Sequence, residues 1–246
     1  MRRPDRSTFR SKHRGFSLRA AALCLALVLV PSVPAAAAAG TEGTEVEVQD
    51  QHRNPVIFVH GYQGSSWNWS SMMADFRGDG YPDEYLYAWD YDTTQSNETT
   101  AHEFAEVVDE HLDRTGADQV DVVTHSMGGL STRWYMKFLD GDETVSTWVS
   151  LAGPNNGTYV ASWCSLAHQS CRDMQPGSDF LSELNAGDPT PGSADYGTWW
   201  SRCDGIIVPA RSTVLDGAEN HRAWCTGHLS FLTDDSVSEE VREFVR

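Results

Sequence analysis

Two rhythms alternate along the chain. Short runs rich in apolar, β-branched and aromatic residues occupy 56–59, 85–89, 120–124, 147–152 and 196–200, each the length of a single strand, and the more polar 220–224 continues the order as a last strand. Between them lie stretches that are apolar only at every third or fourth position. Over 100–114, Phe104, Val107, Val108 and Leu112 fall on one helical face, and the pattern stops just before Gly116. Over 130–139, Leu130, Trp134 and Phe138 do the same. Strands alternating with helices predict an α/β fold, with a mostly parallel sheet covered by helices on both faces. In such a sheet, functional residues belong on loops at the carboxyl ends of the strands.

One strand-to-helix junction carries chemistry. The run Gln119-Val120-Asp121-Val122-Val123 leads into Thr124-His125-Ser126-Met127-Gly128-Gly129, and the 130–139 helix follows at once. A serine placed there sits on a sharp turn with its hydroxyl clear of the sheet, and the small residues beside it let helix and strand approach. The usual pattern is G-x-S-x-G, and Thr124 replaces its first glycine. Upstream, Pro55–Val59 reads as a buried strand that ends in His60-Gly61-Tyr62. The glycines at 61 and 64 allow close backbone approach, so the Tyr62 amide, with Gln63 as the alternative, pairs with the Met127 amide as candidate oxyanion donors. An aspartate and a histidine should follow the serine in that order. Asp204 comes after the 196–200 strand and before Gly205, and His228 stands on a loop ahead of an acidic terminal helix. The rivals are Asp195 and Asp216, in Gly-rich loop sequence, and His221 and His168, the first in the last strand and the second in a Ser/Gln-rich loop.

These residues carry a resemblance. His60-Gly61, Thr124–Gly129, Asp204-Gly205-Ile206-Ile207-Val208 and Gly227-His228 through Leu232 are similar to the small secreted bacterial lipases of the α/β-hydrolase fold, from Asn54 onward. The resemblance implies an α/β-hydrolase fold with a minimal lid or none, and a serine carboxylic-ester hydrolase acting on acylglycerol or related acyl esters. It implies Ser126 as nucleophile, His228 as base, Asp204 as acid, Tyr62 and Met127 as the oxyanion hole, and no cofactor. A polymer esterase, thioesterase or acyltransferase would use the same triad, and a binding protein on a hydrolase scaffold is the remote alternative. An imidazole must be neutral to accept a proton, so activity should climb through neutral pH.

Composition refines this picture. Residues 1–40 read as a secretory signal: a basic head from Arg2 to Arg19, an apolar stretch over 20–30 and a small-residue cleavage region at 35–39. The polar segment 41–53 and a single catalytic domain over 54–246 follow. The whole chain has a formal net charge of −17, and leaving out the seven basic residues and one acidic residue of 1–40 makes it −23. That balance argues against nucleic acid and anionic lipid as partners. A secreted, extracellular monomer without a stable membrane anchor is expected, its partner being the acyl-ester or lipid substrate. Four cysteines remain past residue 40, an even number suited to two disulfides in an exported protein. Of three pairings, Cys203–Cys225 would join the ends of the last two strands, and Cys164–Cys171 would close a small surface flap. Neither the cysteines nor the carboxylates show metal-ligand spacing. Trp67, Trp69, Met72 and Met73 suit an acyl groove or the core equally, and 154–157 is a candidate pocket rim.

Overall fold

The computed structural model describes residues 53–245. The expected signal segment 1–40 and all of 41–53 except Arg53 lie outside these residues. Six strands form one sheet: β1 (Val56–Val59), β2 (Leu86–Trp89), β3 (Val120–His125), β4 (Val145–Leu151), β5 (Asp195–Trp200) and β6 (Glu219–Arg222). Their spatial order is β2-β1-β3-β4-β5-β6 and every pairing is parallel, so the expected mostly parallel sheet is a wholly parallel one among the described residues. Parallel neighbours need a crossover between them, which is why the apolar runs are separated by helices. These are α1 (Ser70–Gly78), α2 (Asn97–Thr115), α3 (Gly128–Phe138), α4 (Gly141–Thr144), α5 (Gln169–Asp173), α6 (Asp179–Leu184) and α7 (Asp235–Phe244).

Strand alternation sorts the core into two layers. Ile57 and Val59 face one way with Val122, and pack with Phe104 and Val108 of α2 and Leu130 of α3. Val56 and Phe58 face the other way with Val123, against Met72 and Phe76 of α1 and Val237 and Val241 of α7. A two-residue period on the strands and a three-to-four-residue period on the helices are thus read out as two buried faces.

The elements differ in detail from the sequence reading. The 100–114 helix begins earlier, because Ser96 caps it by accepting from the Thr99 amide, and it ends at Gly116 with φ 69°. The last strand is shorter than 220–224 and lies at the sheet edge, with Trp224 already 88% exposed. Asp195, expected in a loop, opens β5. Trp69 and Met72 are fully buried against Phe58 and Phe76, so they belong to the core rather than to a groove. The chain leaves β1 toward β2 and returns to β3 on the other side of β1. The crevice beside that reversal, at the carboxyl ends of β1 and β3, is where an open parallel sheet offers a site.

Candidate active site

Ser126 stands at the carboxyl end of β3, immediately before α3, with φ 54°. That backbone is left-handed, a conformation costing a non-glycine residue of order 1–3 kcal/mol, and it persists only where its surroundings hold it. They do so here. The Ser126 amide donates to the Leu151 carbonyl at the end of β4 (2.9 Å). A Cβ on Gly128 would come within 2.6 Å of the Val59 and His60 carbonyl oxygens, and one on Gly61 within 2.7 Å of Ser126 Cβ. Glycine at 128 and 61 therefore lets the turn and the end of β1 touch. Thr124, the departure from the usual motif, is fully buried, and its hydroxyl donates to the Val149 carbonyl (2.7 Å). The extra polar group is satisfied by the neighbouring strand, so the turn forms without the glycine.

Asp204 follows β5, and His228 opens the helical turn His228–Leu232 after β6. The two loops are clipped together twice. The Cys203–Cys225 disulfide joins them with the Cα atoms 4.9 Å apart, and Ser201 Oγ accepts from the amides of Cys203 (3.1 Å) and Thr226 (3.0 Å). The Thr226 hydroxyl in turn donates to Asp234, the residue that caps α7. This frame brings His228 Nδ1 to 2.9 Å from Asp204 Oδ2 and His228 Nε2 to 3.0 Å from Ser126 Oγ. The other Asp204 oxygen accepts from the amides of Ile206 (2.8 Å) and Ile207 (2.9 Å). Burial pushes the Asp204 carboxyl up, but the His228 ring and the two amides outweigh it and hold the group below its ordinary range. It is therefore a carboxylate at neutral pH.

His125 lies behind the histidine of this relay. Its ring is 4.7 Å from that of His228, and its Nε2 is 2.9 Å from the His228 carbonyl. Burial, followed by the nearby His228, pushes His125 down to about 3. The ring is neutral, and its Nε2–H donates to the carbonyl, which can only accept. The motif contained His125, but nothing in its spacing announced this contact.

On the β1 side, Gly61 to Gly64 make a tight turn closed by the Gly64 amide on the Gly61 carbonyl (2.9 Å). The Gln63 amide, the alternative oxyanion donor, is taken by Thr93 Oγ1 (3.2 Å). The amides of Tyr62 and Met127 have no acceptor among the described residues. Both residues flank Ser126: Met127 follows it in sequence, and Tyr62 lines the same cavity.

That cavity has a volume of about 650 Å³ and opens over Ser126 and His228. Its apolar wall includes Val160, Trp163, Met174, Ile206, Leu229 and Leu232. Trp163 is 92% and Leu229 70% exposed, so the apolar lining continues out to the rim. Among Trp67, Trp69, Met72 and Met73 none lines it, nor does any of 154–157. Val160, Trp163 and Met174 come instead from the segment between β4 and β5, where Cys164–Cys171 closes a loop with the Cα atoms 5.6 Å apart, and Ile206, Leu229 and Leu232 come from the segments that carry Asp204 and His228. That disulfide is more than a surface clip, since Cys171 is fully buried. Thr158 ties this wall to the Asp204 loop, its hydroxyl donating to the Ile206 carbonyl (2.6 Å) and accepting from the Val208 amide (3.0 Å).

The rivals lie elsewhere. His221 stacks on Trp199 at the edge strand (4.3 Å). Asp195 sits at the amino end of β5, away from Ser126, and Asp216 lines a separate cavity. His168 is near the site but contacts Tyr62 rather than Ser126.

A wholly parallel sheet with helices on both faces, a serine on a strained strand-to-helix turn and its partners on later loops define an α/β-hydrolase. Residues 53–223 match the family described as Lipase (class 2), and the chain belongs to that family. Among solved structures, the fold is shared with the mature lipase BlEst2 of Bacillus licheniformis. The match has a TM-score of 0.69 at 18% identity and covers 82% of this chain and 96% of that one. Aspergillus fumigatus lipase B matches with a TM-score of 0.64, also at 18% identity, over 74% of this chain and 50% of the other. By sequence, Lecithin-cholesterol acyltransferase-like 4 of Arabidopsis thaliana is 28% identical over 105 residues. That alignment takes in 40% of this chain and spans about a fifth of the curated plant relative, 20% of its length.

Proposed function

We propose that the protein is an exported serine hydrolase that cleaves carboxylic esters of apolar acyl chains, acylglycerols or related esters, through an acyl-serine intermediate. One observation carries the reading: the Ser126–His228–Asp204 relay, with contacts of 3.0 and 2.9 Å, opens into an apolar cavity. Ser126 Oγ attacks the ester carbonyl while His228 Nε2 takes its proton. Asp204 holds the Nδ1–H tautomer and stabilises the imidazolium that forms. The Tyr62 and Met127 amides donate to the oxyanion, and a donor in that role contributes about 2.7–4 kcal/mol to the transition state. His228 then protonates the departing alkoxide and draws a proton from the water that releases the acid. Membership of the lipase family supports ester hydrolysis, and the apolar wall and rim support an acyl chain as the group bound. The two disulfides support an oxidising, extracellular destination.

A fluorophosphonate probe should label the wild type and leave Ser126→Ala unlabelled, and rates on p-nitrophenyl esters of rising chain length should exceed those on the acetate. An unlabelled wild type would refute the nucleophile, and a preference for acetate would refute the acyl-chain assignment. The likeness to the plant acyltransferase-like protein favours a second reading, transfer of the acyl group to an alcohol. Product analysis with an added alcohol separates the two, hydrolysis giving free acid alone.

A further inference from the structure

The Tyr62 side chain is committed to a contact that oxyanion binding does not use. Its hydroxyl lies 2.6 Å from His168 Nδ1, and the two rings are 5.7 Å apart. His168 immediately precedes α5, inside the ring closed by Cys164–Cys171. This segment is anchored on its far side. The Gln169 amide donates to the Thr94 carbonyl (3.1 Å), the Ser170 hydroxyl donates to the Thr93 carbonyl (2.7 Å), and Asp173 accepts from the amide that begins α2, that of Asn97 (2.8 Å). Ser170 and Cys171 are fully buried.

Thr93 closes the circuit, because the same residue that holds Ser170 also accepts from the Gln63 amide through its Oγ1. The turn after β1 is thus braced at two successive residues, Tyr62 through its side chain and Gln63 through its backbone. Both braces end on one rigid block, made of the loop before α2 and the disulfide-closed α5. Such bracing has a physical reason. Gly61 permits the close approach to Ser126 and Gly64 the tight packing on Asn68 and the Gly61 carbonyl, but they leave the turn with more conformational freedom than any other residues would. A donor that binds an oxyanion must be in place before charge develops, so that freedom has to be removed from outside the turn.

We propose that His168 is a positioning residue for the oxyanion loop, holding the Tyr62 hydroxyl and through it the plane of the Tyr62 amide. The proposal rests on the reading of Tyr62 as an oxyanion donor. His168 does not touch the relay and acts only through Tyr62. Tyr62→Phe removes one oxygen and keeps the ring that lines the cavity. His168→Ala removes the partner of the Tyr62 hydroxyl, and His168→Asn returns a polar group close to the position of Nδ1.

The test compares these three variants and the Tyr62→Phe/His168→Ala double variant with the wild type, each checked for folding by circular dichroism. Misplacing a catalytic group by about 1 Å costs about a hundredfold, so partial release of the loop should lower kcat by about tenfold in each alanine or phenylalanine variant, with KM within about twofold. The double variant should be no slower than either single one, as expected of two groups acting through one contact. His168→Asn should recover most of the lost kcat. A wild-type kcat in Tyr62→Phe, multiplied losses in the double variant, or equal losses in His168→Ala and His168→Asn would each overturn the brace. Fluorophosphonate labelling of the wild type keeps the two readings apart. If it fails, the Ser126 assignment falls and the brace with it. If it succeeds while the variants keep full kcat, the brace alone is wrong.

Discussion

At Ser126 the backbone and the chemistry make opposite demands. The left-handed φ of 54° suits glycine, yet the proposed reaction needs a hydroxyl there. Ser126→Ala should lose ester hydrolysis by at least about a thousandfold, since members of such a relay act as a unit. It should melt close to the wild type, because alanine keeps the strained backbone. Ser126→Gly should be equally inactive but melt at a higher temperature than Ser126→Ala, by an amount corresponding to about 1 kcal/mol of released strain. Calorimetry on the pair checks the order, and a glycine variant melting below the alanine one would show the turn to be unstrained. A second residue-scale prediction concerns Asp121, buried on β3 beneath Asn54. Burial pushes its carboxyl up from 3.8 to about 7, with Asp195 adding to the rise and Asn54 and Thr147 opposing it. Between those two values the folded chain holds a proton that the unfolded chain has released. The resulting stability is complete below the unfolded value and is lost as pH climbs through about 7. Asp121→Asn should therefore gain on the wild type by a few kcal/mol between about pH 4 and pH 8. Melting temperatures across that range decide it, and parallel curves for the two proteins would place a charged Asp121 in the fold.

At the scale of elements, β6 is a four-residue, largely exposed edge strand that nevertheless carries the histidine loop. Its pairing with β5 is brief, and the Cys203–Cys225 bridge and Ser201 do what a longer strand would do. Replacing both cysteines with alanine should cost about 2–4 kcal/mol and should also lower kcat, because the loops bearing Asp204 and His228 are the ones released. Urea unfolding with parallel kinetics checks both halves. A destabilised variant with unchanged kcat would show that the frame of Ser201 and α7 holds the loops alone. What was legible in the sequence follows the same division. Most strands, the large crossover helices and the convergence of Ser126, Asp204 and His228 could be read because the cues are written locally: a β-branched run, a helical period, glycines at a junction. Trp69 and Met72 were ambiguous because a helical spacing fits core and groove alike, and only the packing against Phe58 decides between them. The contacts of His168, Thr93 and Ser201 could not be read at all. Their partners lie between 2 and 106 residues away, and the long-range ones belong to no periodic pattern.

Across the whole molecule, the proposed site draws on the ends of β1, β3, β5 and β6, so it exists only when the sheet is complete. Among the described residues, three of the four non-glycine residues with left-handed backbone, Gln63, Ser126 and Ala152, lie just past the carboxyl ends of β1, β3 and β4. Two of their amides carry the sheet's hydrogen bonding past its last regular residues: Ser126 to Leu151 (2.9 Å) and Ala152 to Trp199 (2.8 Å). Strain that is held in place in this way cannot relax locally without parting three strands at once. A proton on either amide should then exchange with solvent deuterium only when the entire sheet opens, although the Ser126 side chain faces a water-accessible cavity. Exchange at Ser126 as slow as at Val122, in the middle of β3, would make the reacting edge the most persistent part of the fold. Exchange there many times faster would mean that the turn opens on its own and that its strain is held only intermittently.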